Sequence, residues 1–457
     1  MPLHDRKHLR APISRLRGHH PRLRESVVQW GPPALYLALL YYRNLARVLF
    51  SREQIEVVLI IVLCVSAFTT LNGPCVGGRF RHQGVVCWGS LFLGLMLTSA
   101  LATAVDVNAL ADLLYHVVSV CLVFMVFLAT ARSDTGLAAV CTTLAICAAI
   151  NASIALWGAV THGNMFAAGS ADVAYAATFG YDATNGRSGG LIGENYSGMY
   201  NLPVVVAGLA LLQRKKWRLL GGGLVLLGVS GTIVSVSRAS ILAVVGAVLA
   251  SVALTARRTK LHRVLGTLIV IFLMSVIGVV GYQVYVSHLP SFFQRQIQQR
   301  FSQNAIGNEA RPGLWAFYAK EALTRPLFGN GPGYVKHRVE AGKLVPHNAF
   351  LDVAVELGLP ALVLFVVAVL WPLTTFRPAS ESGRSSYLYA CFTGMLIPLF
   401  TLSSAFLPLV WATAGALVGA SRHYKNRDIL PVGCRLPVYD PMAVRDHRSP
   451  TKLIFRV

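Results

Sequence analysis

Apolar runs recur along the chain at about 30–50, 55–71, 85–105, 109–131, 136–161, 189–212, 219–236, 239–255, 264–286, 349–373, 387–404 and 405–421. Most approach the ~20 residues that carry a helix across a hydrocarbon core. The pattern predicts an all-α polytopic membrane protein with about twelve transmembrane helices and one long, partly helical loop. The first run is the weakest, because Arg43 and Arg47 interrupt its second half. An amphipathic helix lying on the membrane surface is the alternative there. The expected organisation is a basic arm at 1–25, helices one to nine within 26–286, a soluble loop at 287–348, helices ten to twelve within 349–421 and a basic tail at 422–457.

Composition narrows the class further. Of 457 residues, 54% are hydrophobic and 13% charged. A soluble domain needs roughly 25% charged residues to cover its surface, so a globular nucleic-acid binder is excluded despite the net charge of +22. Cys64, Cys121, Cys141, Cys147 and Cys391 lie inside apolar runs and read as small apolar residues. With no CxxC or Cys/His spacing, neither a disulfide framework nor a structural metal is expected. No small-residue cleavage site follows an apolar stretch near the start, so residues 1–25 read as a cytosolic arm and not as a leader. No internal repeat and no second soluble domain is visible.

Charge then gives orientation. Arg214, Lys215, Lys216 and Arg218 cluster in one short connection, and Arg257, Arg258, Lys260 and Arg263 in another. Both are expected on the cytoplasmic side. Counting spans from there puts both termini in the cytoplasm and 162–188, the turn at Arg238 and 287–348 outside. The outward loop holds Arg295, Arg300, Arg311, Lys320, Arg325, Lys336, Arg338 and Lys343 against only Glu309, Glu321 and Glu340. That excess opposes the usual charge bias, and it invites an anion.

Several outward segments carry candidate chemistry. Arg311 opens a helical pattern, with Pro312 suited to a first turn, so it would stand at the positive end of a helix dipole. The glycines of Leu327-Phe-Gly-Asn-Gly-Pro-Gly333 make a tight turn, either a plain loop or one whose amides approach a phosphate. Pro346-His347-Asn348 precedes an apolar run. His347 is there either a proton acceptor or an interfacial residue beside a capping Asn348. Asp352 and Glu356 follow one helical turn apart, and Glu356 is expected to pair with an arginine or face a wet cavity. Arg238 tips a short hairpin, where snorkelling is the alternative. Arg187, with Glu194 and Asn195, flanks glycines at an outer helix end.

The pattern resembles the O-antigen ligase and O-antigen polymerase superfamily. The resemblance rests on Arg187-Ser-Gly-Gly-Leu-Ile-Gly-Glu-Asn195, Ser237-Arg238-Ala-Ser, Arg311 followed by Pro326-Leu-Phe-Gly-Asn-Gly-Pro-Gly, and His347-Asn348 running into Glu356-Leu-Gly-Leu. These cover roughly residues 185–370 in the family's order. Glu194-Asn195 departs from the Asn-Pro-Asn frequent there. The resemblance implies a metal-independent, cofactor-free glycosyltransferase of the bacterial inner membrane, with its site facing the periplasm. Its donor would be a polyprenyl-diphosphate-linked glycan and its acceptor lipid A–core or another glycan. Arg187, Arg238 and Arg311 would hold the diphosphate and His347 would activate the acceptor hydroxyl, with Asn348, Glu194, Asn195, Glu356, Gly331 and Gly333 supporting. A ligase is favoured slightly over a polymerase or a protein O-oligosaccharyltransferase. A transporter or flippase of a lipid-linked anion is the reading of another class. It would carry charges near mid-span and inverted repeats, whereas the charges here sit mainly at one face.

Overall fold

The computed structural model describes residues 30–41, 52–71, 107–162, 181–182, 187–188, 196–235, 237–256, 310–335, 346–376, 383–402 and 405–429, with a few more at 94, 97–99, 101–103 and 287. Their regular elements are helical apart from one two-residue antiparallel pair. The helices are α1 (Arg52–Leu71), α2 (Val107–Thr130), α3 (Asp134–His162), α4 (Ser197–Leu212), α5 (Arg218–Ile233), α6 (Arg238–Ala256), α7 (Ala310–Thr324), α8 (Ala349–Leu357), α9 (Leu359–Thr375), α10 (Gly383–Leu399) and α11 (Pro408–Ile429). The pair is β1 (Tyr181–Asp182) with β2 (Arg187–Ser188). The expected run 264–286 lies outside the described residues.

By length and composition, Leu113–Thr130, Asp134–Ala159 and Arg238–Ala256 are long and apolar enough to cross a membrane. Val57–Phe68, Ser197–Leu212 and Leu359–Thr375 are apolar but shorter. Large apolar side chains such as Leu219, Leu249 and Phe68 point outward and are 95%, 60% and 71% exposed. Water does not tolerate such a surface, but lipid does. The chain is a membrane protein.

Helix α4 is the centre of the bundle. Every residue from Ser197 to Val206 is buried, and α3, α5, α6 and α10 pack around it. The helices meet through small residues. A Cβ on Gly415 of α11 would fall 2.3 Å from the Phe124 carbonyl of α2, and one on Gly419 would fall 2.3 Å from that of Leu128. In lipid, apolar side chains gain nothing by leaving the solvent. Close backbone approach of this kind then supplies the packing.

Residues 30–41 belong to that core. Tyr36, Leu37, Leu40 and Tyr41 are buried among Phe127, Met199 and Tyr200. The Trp30 indole N–H donates to Thr135 Oγ1 at the start of α3 (3.1 Å). The Tyr41 hydroxyl donates to the Tyr200 carbonyl in the first turn of α4 (3.0 Å). These contacts anchor residues 30–41 in the helix bundle.

The run 349–373 departs from expectation, since it is two helices and not one. The Phe350 and Phe365 rings are 5.4 Å apart. In one unbroken helix those residues would stand roughly 22 Å apart along the axis. The chain therefore doubles back at Gly358, whose φ of 90° suits glycine alone. Pro360 supports the break, because proline fits the first turn of the new helix. Helix α8 lies folded against α9, and only α9 remains as the apolar run of this region.

Candidate active site

The described candidate residues fall into two clusters. The first surrounds His347 and is built mainly from backbone. The turn 325–335 wraps the broken end of α8. Asn330 N donates to the Val355 carbonyl (2.7 Å) and Gly331 N to that of Glu356 (3.0 Å), while Leu359 N donates to the Pro326 carbonyl (2.7 Å). A helix end leaves carbonyls without partners, and this turn supplies their donors. Glycine is required for the fit. A Cβ on Gly329 would meet the Glu356 carbonyl at 2.5 Å, and one on Gly358 would meet that of Leu327 at 2.6 Å. The Ser99 hydroxyl lies against the carbonyls of both Phe328 and Glu356, tying the turn to a more distant part of the chain.

This geometry corrects two expectations. The amide of Gly331 is engaged by the end of α8, so it is not offered to a phosphate. That of Gly333 is likewise engaged, by the Glu356 carboxylate. Glu356 in turn accepts from Val335 N (3.1 Å) as well as from Gly333. Among the described residues its carboxylate serves these two main-chain donors, where sequence suggested an arginine or a wet cavity. Tyr334 donates to the Glu321 carboxylate of α7, which fastens the other side of the same turn.

Helix α7 packs on α8 through Tyr318 and Ala322 against Ala354 and Val355. Arg311 stands in the first turn of α7, as its sequence suggested. One turn later, the Trp315 indole N–H donates to the Pro346 carbonyl (2.8 Å). His347 follows, exposed, with φ 49°. Among the described residues it alone, glycine aside, has positive φ. That conformation costs an L-residue roughly 1–2 kcal/mol, and strained backbone of this kind clusters at functional sites. Asn348 then caps α8, its side chain accepting from Phe350 N (3.0 Å) and Leu351 N (3.1 Å). The capping reading of Asn348 is therefore right.

The second cluster holds Arg238, half-buried in the first turn of α6, and is built mainly from side chains. Ser237 precedes it, and the Ile241 amide donates to the Ser237 carbonyl (3.0 Å). Below lies a buried polar chain. Asn151 of α3 donates to Asn201 Oδ1 (2.9 Å), and Asn201 donates to Ser197 Oγ (3.0 Å). The Gly198 amide donates to Ser240 Oγ (3.0 Å). A Cβ on Gly198 would sit 2.2 Å from the Ser240 Cα, so α4 and α6 touch there. Arg187 lies in β2, opposite Asp182 of β1, and the pair leans on α3. Glu194 and Asn195 lie outside the described residues.

The His347 cluster thus joins the first turn of α7, the glycine turn, His347, Asn348 and Glu356. Sequence reasoning missed Trp315, Ser99 and the Asn151–Asn201–Ser197 chain. Trp315 was detectable as the residue one helical turn after Arg311. Ser99 carries no local signal, because its partners lie more than 200 residues away.

Residues 223–366 match the protein family described as O-Antigen ligase. No curated protein matches the chain. The matched span runs from α5 into α9 and contains Arg238, Arg311, the glycine turn, His347 and Glu356, while Arg187 and Glu194–Asn195 precede it. Over that span the chain is similar to the O-antigen ligase family.

Proposed function

We propose that this protein is a metal-independent, inverting glycosyltransferase of the bacterial inner membrane. It moves a glycan from a polyprenyl-diphosphate donor to an acceptor hydroxyl at the periplasmic face, as an O-antigen ligase with lipid A–core as acceptor. The observation that carries the reading is the placement of His347. It is exposed, held in a left-handed conformation at the start of α8, and fastened to the helix whose first turn holds Arg311.

In this reaction the acceptor oxygen attacks the anomeric carbon as His347 takes the hydroxyl proton. The bond from that carbon to the phosphate oxygen breaks, and the polyprenyl diphosphate leaves with the electron pair. Negative charge develops on the leaving group. Arg187, Arg238 and Arg311 stabilise it, since the planar guanidinium matches phosphate oxygens. His347 must start neutral, so turnover falls on the acid side as the imidazole is protonated. About twelve spans, with both termini in the cytoplasm, place these residues on one face. A reporter fused after Gly307 is then periplasmic and one after Arg258 cytoplasmic.

The test is transfer by purified protein from an undecaprenyl-diphosphate-linked glycan to lipid A–core. His347→Ala is expected to lower turnover by about 10²- to 10⁴-fold while leaving donor affinity near wild type. Arg311→Lys, which keeps charge but loses the fork, is expected to lose most transfer, and a chelator is expected to change little. Wild-type transfer by His347→Ala would remove the proposed base. Transfer to a growing glycan but not to lipid A–core would make the enzyme a polymerase.

A further inference from the structure

His347 sits between two anchored neighbours. On one side the Pro346 carbonyl accepts the Trp315 indole N–H at 2.8 Å. On the other, Asn348 is fixed through its side chain to the amides of Phe350 and Leu351, and through its carbonyl to that of Asp352 (3.0 Å). Between them lies a backbone conformation that an L-residue avoids. Such a conformation persists only where the surroundings impose it. The Asn348 bonds fix the start of α8 and lie beyond the Pro346–His347 peptide. The Trp315 bond restrains that peptide directly, because rotating it would turn the Pro346 carbonyl away from the indole.

Trp315 itself is well fixed. It follows Leu314 and precedes Tyr318 by less than one turn, and Tyr318 is fully buried against α8. Tyr334 of the glycine turn holds Glu321 on the same helix. Helix α7 thus reaches the His347 segment from a docked position, and Arg311 lies one turn before Trp315 on the same helix face.

We propose that Trp315 is a positioning residue for transfer: its indole N–H fixes the Pro346 carbonyl and so aims His347 from the helix that presents Arg311. The inference rests on the reading of His347 as the proton acceptor. Trp315 acts through His347, so it sets turnover and not donor binding.

The experiment compares Trp315→Phe with wild type in the full-length protein, and repeats the pair in a His347→Ala background. Donor affinity, kcat and KM are measured with an undecaprenyl-diphosphate-linked glycan. Loss of one such hydrogen bond is worth about a 3- to 10-fold fall in kcat, with donor KM unchanged. In the His347→Ala background the second substitution is expected to add nothing, because two residues acting through one contact are not additive. If Trp315→Phe yields too little folded protein, 3-benzothienylalanine at position 315 keeps the shape and removes only the N–H, and the same fall in kcat is expected. A wild-type kcat from either variant overturns the inference while leaving His347→Ala inactive and the proposed base intact. An equal fall in both backgrounds also overturns it, making Trp315 a scaffold residue. Wild-type transfer by His347→Ala alone overturns the base and this inference with it.

Discussion

The Arg238 and His347 clusters achieve similar placement by opposite means. Under Arg238, side chains do the joining. Asn151, Asn201, Ser197 and Ser240 link three helices one hydrogen bond at a time. Under His347, main-chain atoms do it. The glycine turn gives its amides to the end of α8, and Glu356 returns a carboxylate to the turn. A chain of side chains loses strength in steps as members are removed. A clasp made mostly of backbone has few removable members, and a side chain added at Gly329 or Gly358 collides with it. The contrast predicts graded failure at one cluster and abrupt failure at the other.

The largest effect is expected from Gly358→Ala. The new Cβ meets the Leu327 carbonyl at 2.6 Å, at a φ of 90°. Strain and overpacking of this kind each cost about 1–3 kcal/mol, so thermal unfolding in detergent is expected to show a large loss or no folded protein. Gly313→Ala, where nothing lies within 4 Å, serves as the control and is expected to be neutral or slightly stabilising. Equal melting of both variants would break the comparison. Asn201→Ala should come next, at about 1–2 kcal/mol, since it strips the buried Asn151 amide of its acceptor. A loss as abrupt as that of Gly358→Ala would show that the side-chain cluster fails as one unit. The smallest effect is expected from Asn348→Ala, about 1 kcal/mol of helix capping, with transfer reduced far less than by His347→Ala. A rate loss equal to that of His347→Ala would move Asn348 from the cap into the chemistry.

Much of this was legible in the chain. Period and length located α2, α3, α6 and α10, because lipid demands long apolar helices whatever their partners. Asn348 declared its cap, and the proline after Arg311 declared the start of α7. The fold-back at Gly358 did not declare itself. Its apolar residues keep a spacing of four across the break, from Ala349 through Val353, Leu357 and Ala361 to Phe365, and this periodicity imitates one continuous helix. The partner of Glu356 was hidden for another reason. A buried carboxylate suggests a cation, and nothing local reveals that backbone amides from 20 residues away will fill the role. The proposed common membrane face of the two clusters comes from charge bias alone, and the reporter fusions test it.

The pinning of residues 30–41 bears on how the protein is made. Trp30 bonds to a residue 105 positions later, and Tyr41 to one 159 positions later. Contacts so distant in sequence close late, because the intervening chain must be ordered first. A ribosome adds roughly 5–20 residues each second, so on the order of ten seconds separates emergence of Tyr41 from that of Tyr200. Throughout that interval residues 30–41 lack their α4 neighbours. A half-made chain that ends before α4 therefore lacks the carbonyl that receives the Tyr41 hydroxyl, and it is the form on which insertion factors and membrane proteases would act.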